Sequence, residues 1–392
     1  DVSNMLLLQY IIIRYKYLNA TQLISKYGFF FEEHEVVTPD GYVLTMFRVL
    51  ADPLMKPKKP PVFIFHGLIG SADDWLTSGR DDALPIVLVN ASYDVWLGNA
   101  RGNKYTRKHI SLSPDNKEFW NFSWHEIGIY DLPTMIDFVL DKTNQTKIFY
   151  VGHSQGTTSC YVLLSEKPEY NNKLIVQVSL APVAYMSHLI SPVVRGVTPF
   201  LDIVPFLEKT IGAYEFAPTD GFVSLVTSVV CGTSITAVTI CSSLMTTIYG
   251  FEIAQVNFKQ YPVQTSHYPA GSATKQLIHY GQEVNSGKFR QYDYGKIRNL
   301  MMYGSPTPPS YNISNVSVKT VLVYSCNDWL SNYTDVHILA AQLPNVSLRK
   351  VPFPLSHMDY AWGKDAKKLV YLPILELTIQ LFGINFDNIH IY

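Results

Sequence analysis

The sequence predicts an α/β fold with a mostly parallel central sheet, flanking helices and a segment inserted into the sheet domain. Short β-rich runs alternate with helical stretches, which is typical of alternating α/β layers. Several runs are almost continuously apolar, as parallel strands buried on both faces are. The predicted strands are Glu35–Val37, Tyr42–Val49, Val62–Phe65, Tyr93–Leu97, Ile148–Val151, Leu174–Leu180, Val318–Tyr324 and Leu348–Val351. The first two read as a hairpin around a Pro-Asp-Gly turn.

The alternation stops between Ala181 and about Pro309, which predicts an insertion into the sheet domain. This part of the chain holds the uncharged stretch Gly221–Phe251 and an aromatic-rich run at Lys288–Tyr294. We therefore expect a cap at 184–309, between core segments 1–183 and 310–392. We expect residues 1–18 to be an N-terminal extension of the first core segment.

Composition excludes several classes of protein. A chain of 392 residues with 47% hydrophobic and 13% aromatic residues can bury a large core, which argues against disorder. The net charge of −1 provides no basic surface for nucleic acid. The four cysteines lack the close paired spacing of a zinc site, so we expect no metal. Cys231 and Cys241 are compatible both with a local disulfide and with two buried free thiols.

Glycosylation motifs point to the secretory pathway. Asn-x-Ser/Thr sequons begin at Asn19, Asn90, Asn121, Asn144, Asn312, Asn315, Asn332 and Asn345. The sequence starts with Asp1 rather than Met, as we expect after removal of a signal peptide. These features predict a secreted protein, with lysosomal delivery as the alternative.

Two apolar stretches raise the question of a membrane span. Met5–Ile13 is about half of the roughly 20 residues that a spanning helix needs. Gly221–Phe251 is long enough, but it is rich in Ser, Thr and Gly. We predict no transmembrane span and interpret the second stretch as a mobile surface cover that can meet lipid.

The strongest local signal is a serine at the end of a predicted strand. Ile148–Val151 leads directly into Gly-His-Ser-Gln-Gly at 152–156, and Thr157–Ser165 can continue as a helix. This is the context of a nucleophile elbow, in which the glycines allow a turn too tight for a Cβ. The turn exposes Ser154 near a helix N-terminus, where negative charge is favoured. We identify Ser154 as a candidate nucleophile.

A serine nucleophile needs a base, and the base needs a carboxylate to orient it. In the α/β-hydrolase fold the chain order is Ser, acid, His. Asp328 follows the predicted strand Val318–Tyr324, and His357 follows the strand Leu348–Val351. We predict these two as the acid and the base. The competing Asp335 lies where the intervening helix should begin, which favours a role as a helix cap.

The negative charge of a tetrahedral intermediate requires two backbone N–H donors. Gln155 follows the nucleophile and should supply one donor. The other should come from the loop after an earlier strand, where His66-Gly67-Leu68 follows Phe63–Phe65. Gly67 permits a sharp turn that aims the Leu68 N–H inward, so we predict Leu68 and Gln155 as the oxyanion hole.

With these residues assigned, the chain resembles the acid lipase family, which comprises gastric and lysosomal lipases of animals and their insect relatives. The resemblance runs from about Asn19 to the C-terminus. The matching motifs are Glu35–Leu44, His66–Leu68, Trp96–Asn103, Ser113–Asp115, Phe119-Trp120, Tyr130–Pro133, Gly152–Thr157, Leu180–Val183, Tyr268–Ser272, Ser286–Phe289, Tyr292-Asp293, Asn327–Leu330 and His357–Asp359.

The resemblance implies an α/β-hydrolase fold, a helical cap with a lid, and a Ser154–Asp328–His357 triad with Leu68 and Gln155 as oxyanion donors. It also implies a disulfide near Cys231–Cys241 and no cofactor. We expect a serine lipase that hydrolyses triacylglycerols or sterol esters at a lipid–water interface. The alternative is a carrier or storage protein that binds a lipid without turnover.

Overall fold

The structure is a computed structural model that describes residues 15, 17–54, 57, 59–203, 212–219, 235–250 and 252–382. The predicted apolar run Met5–Ile13, Cys231 and residues 221–234 and 251 of the uncharged stretch lie outside these ranges.

The described strands form one large sheet and a small two-stranded one. The strands are β1 Phe30–Val37, β2 Tyr42–Leu50, β3 Pro61–Phe65, β4 Asp94–Gly98, β5 Lys108–His109, β6 Ile148–His153, β7 Leu174–Leu180, β8 Glu215–Phe216, β9 Ser272–Ala273, β10 Thr320–Tyr324 and β11 Val346–Lys350. The large sheet has the order β1-β2-β4-β3-β6-β7-β10-β11, with β5 paired to β2. From β4 to β11 neighbouring strands run parallel, and the pairs that involve β2 are antiparallel. The predicted mostly parallel sheet is confirmed.

The first strand is longer than the sequence indicated. It begins at Phe30 rather than at Glu35, and it pairs with β2 from Phe30 opposite Leu50 to Val37 opposite Val43. Most of its side chains are exposed or half-buried. An edge strand of this kind shows little apolar patterning, which is why only its last residues were recognised.

Helices cover the sheet and form the segment between β7 and β10. They are α1 Ala20–Lys26, α2 Leu84–Asn90, α3 Trp124–Glu126, α4 Leu132–Thr143, α5 Gln155–Glu166, α6 Pro192–Val197, α7 Ile235–Tyr249, α8 Tyr261–His267, α9 Thr274–Ser286, α10 Lys296–Tyr303, α11 Tyr333–Ala340, α12 Asp359–Trp362 and α13 Leu372–Phe382. Short 3₁₀ helices span Ala72–Trp75, Lys117–Trp120, Pro168–Lys173, Thr198–Ile203, Ile253–Gln255 and Ile313–Asn315, and π-helical turns span Ile127–Asp131 and Lys367–Tyr371.

Both faces of the sheet are buried, because alternate side chains of each central strand enter different cores. In β3, Phe63 and Phe65 belong to one apolar cluster, whereas Val62 and Ile64 belong to the other. Burial of each such side chain contributes about 1.5–3 kcal/mol. These paired cores hold the carboxyl ends of the parallel strands rigidly at one edge of the sheet.

The segment predicted as a cap contains α6 to α10 and the strands β8 and β9. In the described part of 184–309, no strand joins the large sheet. The bounds of the cap stay a prediction. Of the uncharged stretch, residues 235–249 form α7. Among the described helices, none combines the length and apolarity required to cross a membrane.

Candidate active site

Ser154 occupies a strained turn between a strand and a helix. β6 ends at His153, α5 begins at Gln155, and Ser154 between them has φ 51° and ψ −116°. A positive φ is costly for a non-glycine residue and persists only where the surrounding structure enforces it. The Ser154 N–H donates to the Leu180 carbonyl on β7 over 3.0 Å, which ties the turn to the sheet.

The two glycines of the turn allow backbone segments to approach closely. A Cβ on Gly156 would lie 2.7 Å from the Phe65 carbonyl oxygen, and a Cβ on Gly152 would lie 2.8 Å from the Gly156 carbonyl carbon. Since both contacts are with backbone atoms, no side-chain rotation can relieve them. The close approach brings the end of β3 next to Ser154.

We expect Gly156→Ala to destabilise the fold by about 3 kcal/mol or more, because the new methyl group would push α5 away from β3. The matched control is Gly196→Ala on α6, where a Cβ would meet no atom within 4 Å. This control should change stability by no more than about 1 kcal/mol, in the stabilising direction. Chemical denaturation measures both values, and equal stabilities would contradict the packing argument.

His357 and Asp328 lie in hydrogen-bond contact with each other and with Ser154. The His357 Nε2 is 2.7 Å from the Ser154 Oγ. The His357 Nδ1 is 2.9 Å from each carboxylate oxygen of Asp328. The two side chains are almost fully buried, at 2% and 1% exposure. The structure thus brings together the three side chains that the chain order predicted.

Backbone donors orient the Asp328 carboxylate. Its Oδ1 accepts hydrogen bonds from the N–H groups of Leu330 and Ser331, over 3.0 and 2.8 Å. The competing Asp335 lies elsewhere, where its carboxylate contacts the His188 side chain over 2.7 Å. The expectation that Asp335 caps α11 was wrong. The cap is Asn332, whose side chain accepts from the Thr334 N–H, because it directly precedes the first turn.

His153 is a site residue that the sequence did not reveal. Its Nε2 donates to the backbone carbonyl of His357 over 2.7 Å. Burial lowers its pKa to about 3, with a further contribution from the nearby His357, so the ring is neutral at physiological pH. It therefore helps to hold the His357 backbone. Its location inside the elbow motif was the only sequence signal for this role.

The loop after β3 passes directly beside the nucleophile. A Cβ on Gly67 would lie 3.1 Å from the Ser154 Cβ, and Leu68 lines the same cavity as Ser154. The buried His66 ring holds this loop, since its Nδ1 donates to the Gly67 carbonyl over 2.7 Å and its Nε2 accepts from the Ala100 N–H over 3.0 Å. Burial lowers the pKa of His66 to about 4, which keeps the ring neutral. Gln155, the other predicted oxyanion donor, is buried as the first residue of α5.

A cavity of about 340 Å³ opens onto Ser154 and His357. Its walls are mainly apolar and come from the β3 loop, the segment after β7, and helices α6, α7 and α9. The apolar lining residues are Leu68, Ile69, Val183, Met186, Val193, Val194, Val197, Phe216, Ile248, Leu277, Val284, Leu330 and Met358. An arrangement of this kind can hold a hydrocarbon chain with its reactive group at the serine.

Comparison with known proteins gives the family. A model of the partial α/β-hydrolase lipase region matches residues 20–79, and a model of the α/β-hydrolase fold matches residues 60–200. Lipase 3 of Drosophila melanogaster is 40% identical over 89% of this chain and 90% of its own length. Gastric triacylglycerol lipase of Mus musculus is 37% identical over 93% of this chain and 92% of its own length. Lysosomal acid lipase/cholesteryl ester hydrolase of Homo sapiens is 35% identical over 92% of this chain and 90% of its own length.

The chain belongs to the acid lipase family. The predicted enzyme class, a carboxylic ester hydrolase, is confirmed by these relatives. A solved structure from Sulfolobus solfataricus has a TM-score of 0.58 at 12% identity and covers 89% of this chain and 99% of its own. That likeness independently shows the fold.

The mainly apolar cavity of this acid lipase family member also contains a carboxylic acid, Asp74. Asp74 lines the cavity with 4% exposure, and its Oδ1 has no hydrogen-bond partner among the described residues. Burial and the neighbouring Asp73 raise the pKa of Asp74 well above its usual range. Sequence reasoning missed this residue, because no motif distinguishes it from a surface aspartate.

The predicted glycosylation sites differ in accessibility. Exposed asparagines are Asn19, Asn90, Asn121, Asn144, Asn312 and Asn345. Asn315 is half-buried and donates to the Ser165 carbonyl over 3.0 Å. Asn332 is buried at 6% exposure, where it caps α11. Cys241 is buried, and the predicted pairing with Cys231 stays a prediction because Cys231 lies outside the described residues.

Proposed function

We propose that this protein hydrolyses carboxylic esters of long-chain lipids through Ser154, His357 and Asp328. The observation that carries the proposal is the contact of Ser154 Oγ with His357 Nε2 at 2.7 Å, with Asp328 on the opposite side of the ring, at the end of an apolar cavity. To act as a base, the His357 ring must carry its proton on Nδ1 and leave Nε2 free to accept the proton of Ser154. The Asp328 carboxylate favours this tautomer because it accepts a hydrogen bond from Nδ1–H.

In the first half-reaction, the Ser154 Oγ attacks the ester carbonyl carbon while His357 Nε2 takes the hydroxyl proton. The carbonyl oxygen becomes an oxyanion, for which the Leu68 and Gln155 N–H groups are the donors. When the tetrahedral intermediate collapses, the C–O bond to the alcohol breaks and His357 returns its proton to that oxygen. An acyl group remains on Ser154.

In the second half-reaction, His357 removes a proton from water and the resulting hydroxide attacks the acyl carbon. Collapse of this intermediate breaks the bond to Ser154 Oγ, which regains a proton from His357, and the fatty acid leaves. Asp328 stabilises the imidazolium in both halves without taking the proton.

The cavity supports a lipid as substrate. Its lining is apolar, and two of the lining side chains, Val193 and Val197, are also 43% and 48% exposed at the surface. The mouth therefore presents apolar side chains to its surroundings, as contact with a lipid–water interface requires. We infer triacylglycerols or sterol esters, the classes that appear in the names of two relatives.

The cellular route is part of the proposal. The six exposed sequon asparagines favour passage through the secretory pathway, and the gastric and lysosomal relatives fit secretion or lysosomal delivery. A Cys231–Cys241 disulfide would suit the same oxidising compartment.

A fluorophosphonate probe followed by peptide mapping tests the proposal against the alternative of a lipid carrier. We expect stoichiometric labelling of Ser154, no label on the buried Ser159 one turn further along α5, and loss of lipid-ester hydrolysis in step with labelling. Binding of a long-chain ester without labelling or turnover would instead establish the carrier.

A further inference from the structure

The carboxyl end of helix α7 lies between the two loops that carry Asp328 and His357. We call residues 325–331, after β10, the acid loop, and residues 351–358, after β11, the base loop. α7 belongs to the segment predicted as the cap and ends at Tyr249. The helix thus reaches from the cap into the catalytic centre.

A single carbonyl group joins the helix to both loops. The Tyr249 carbonyl oxygen accepts from the His357 N–H over 3.0 Å and from the Trp329 N–H over 3.3 Å. Trp329 directly follows Asp328 in the chain. One acceptor with two lone pairs therefore connects the backbone of the base to the backbone beside the acid.

The next residue is pressed against the acid loop. Gly250 has φ +119°, and a Cβ at this position would lie 2.2 Å from the Asn327 carbonyl oxygen and 3.3 Å from the Trp329 Cδ1. Only glycine allows the chain to adopt this conformation so close to another backbone. The helix end consequently touches the acid loop with no intervening space.

The Tyr249 side chain completes the contact on the base side. Its ring lies parallel to the His357 ring, with centroids 6.1 Å apart and an interplanar angle of 16°. Its hydroxyl is 2.9 Å from the hydroxyl of Tyr268, also in the predicted cap. By comparison, two other side-chain hydrogen bonds between the loops, from the Ser325 Oγ and the Asn327 Nδ2 to base-loop carbonyls, are each 3.4 Å long, whereas the Asp328–His357 contact is 2.9 Å.

We propose that Tyr249 and Gly250 are positioning residues, which hold the acid and base loops at the separation that the Asp328–His357 hydrogen bond requires. The proposal rests on the catalytic roles of Asp328 and His357 proposed above. It makes the cap a part of the catalytic geometry as well as a cover over the cavity. A displacement of α7 would then change kcat, whereas a cover alone would affect access of the substrate.

Gly250→Ala tests the proposal, because its methyl group must separate the helix end from the acid loop. We expect kcat for a soluble short-chain ester to fall about 10- to 100-fold, as misplacement of a catalytic group by about 1 Å does. KM should change by less than about twofold, and phosphonylation of Ser154 should slow in parallel with kcat. The matched control is Gly295→Ala, which has φ +84° and no atom within 4 Å of the added Cβ, so it shares the backbone strain but contacts no loop.

Equal kcat values for the two alanine variants would overturn the proposal, and so would a loss confined to KM. If Gly250→Ala does not fold, hydrogen exchange of the wild-type protein decides instead. The amides of Trp329 and His357 should exchange slowly and at the same rate as the last turn of α7. Fast or unrelated exchange at these amides would overturn the proposal. This measurement needs no turnover, so it separates a failure of the positioning role from a failure of the proposed ester hydrolysis.

Discussion

The Ser154→Ala protein is expected to lose about 10⁶-fold in kcat toward a lipid ester, because the variant has no atom that can form the acyl-enzyme. The fold should persist, since the Ser154 N–H that bonds to Leu180 is retained and alanine is no larger than serine. The ester should still bind, because the apolar walls of the cavity remain. Kinetics of fatty acid release, together with a binding titration, separate the loss of chemistry from a loss of affinity.

Ser159→Ala provides the matched control for Ser154→Ala. Ser159 is fully buried on α5, the helix that follows Ser154. Its hydroxyl donates a long hydrogen bond of 3.4 Å to the Trp124 carbonyl. We expect its kcat to remain within about twofold of wild type, because Ser159 does not line the cavity. Turnover by Ser154→Ala within tenfold of wild type would remove Ser154 as the nucleophile.

Asp328→Asn is expected to lower kcat by about 10⁴-fold through the wrong histidine tautomer. The N–H groups of Leu330 and Ser331 both donate to Oδ1, so the oxygen of the new amide must remain there. Its NH₂ group then replaces Oδ2 and donates to His357 Nδ1. The ring proton is thereby forced onto Nε2, which can no longer accept the proton of Ser154.

The variant that serves as a control for Asp328→Asn is Asp335→Asn. Asp335 is also buried and hydrogen-bonded to a histidine, His188, but it lies outside the triad. We expect its kcat to stay within about threefold of wild type, with a loss of stability of about 1–3 kcal/mol from weakened hydrogen bonding. Steady-state rates and thermal unfolding check both values. A larger loss of kcat in Asp335→Asn than in Asp328→Asn would show that Asp328 is not the acid of the triad.

Much of the site was predictable because local rules act on neighbouring residues. The turn at Ser154 needs glycines on both sides of a strand-to-helix junction, and such a junction can be read from residues 148–166 alone. Asp328 and His357 were found because parallel strands place their carboxyl ends at one edge of the sheet, so chain order becomes spatial proximity. The same rule placed the loop of Leu68 beside the nucleophile.

Contacts between distant segments were not predictable. His153 meets the His357 carbonyl across 204 positions of the chain, and no pattern near either residue indicates that contact. The buried state of Asn332 was hidden for a similar reason, since a sequon looks the same on a surface loop and at a buried helix cap. Asp74 also reads as an ordinary polar residue until the cavity wall is seen.

The sequence by itself determined the fold class, the family and the order of the three candidate catalytic residues, because strand periodicity and turn chemistry are local properties of the chain. Only the tertiary structure decided how the cap meets the site. Tyr249 and Gly250 lie in an uncharged stretch that sequence reasoning interpreted as a surface cover. Their contacts with the acid and base loops arise from packing between segments about 80 and 110 residues apart, and such packing depends on the shape of both partners rather than on either sequence alone.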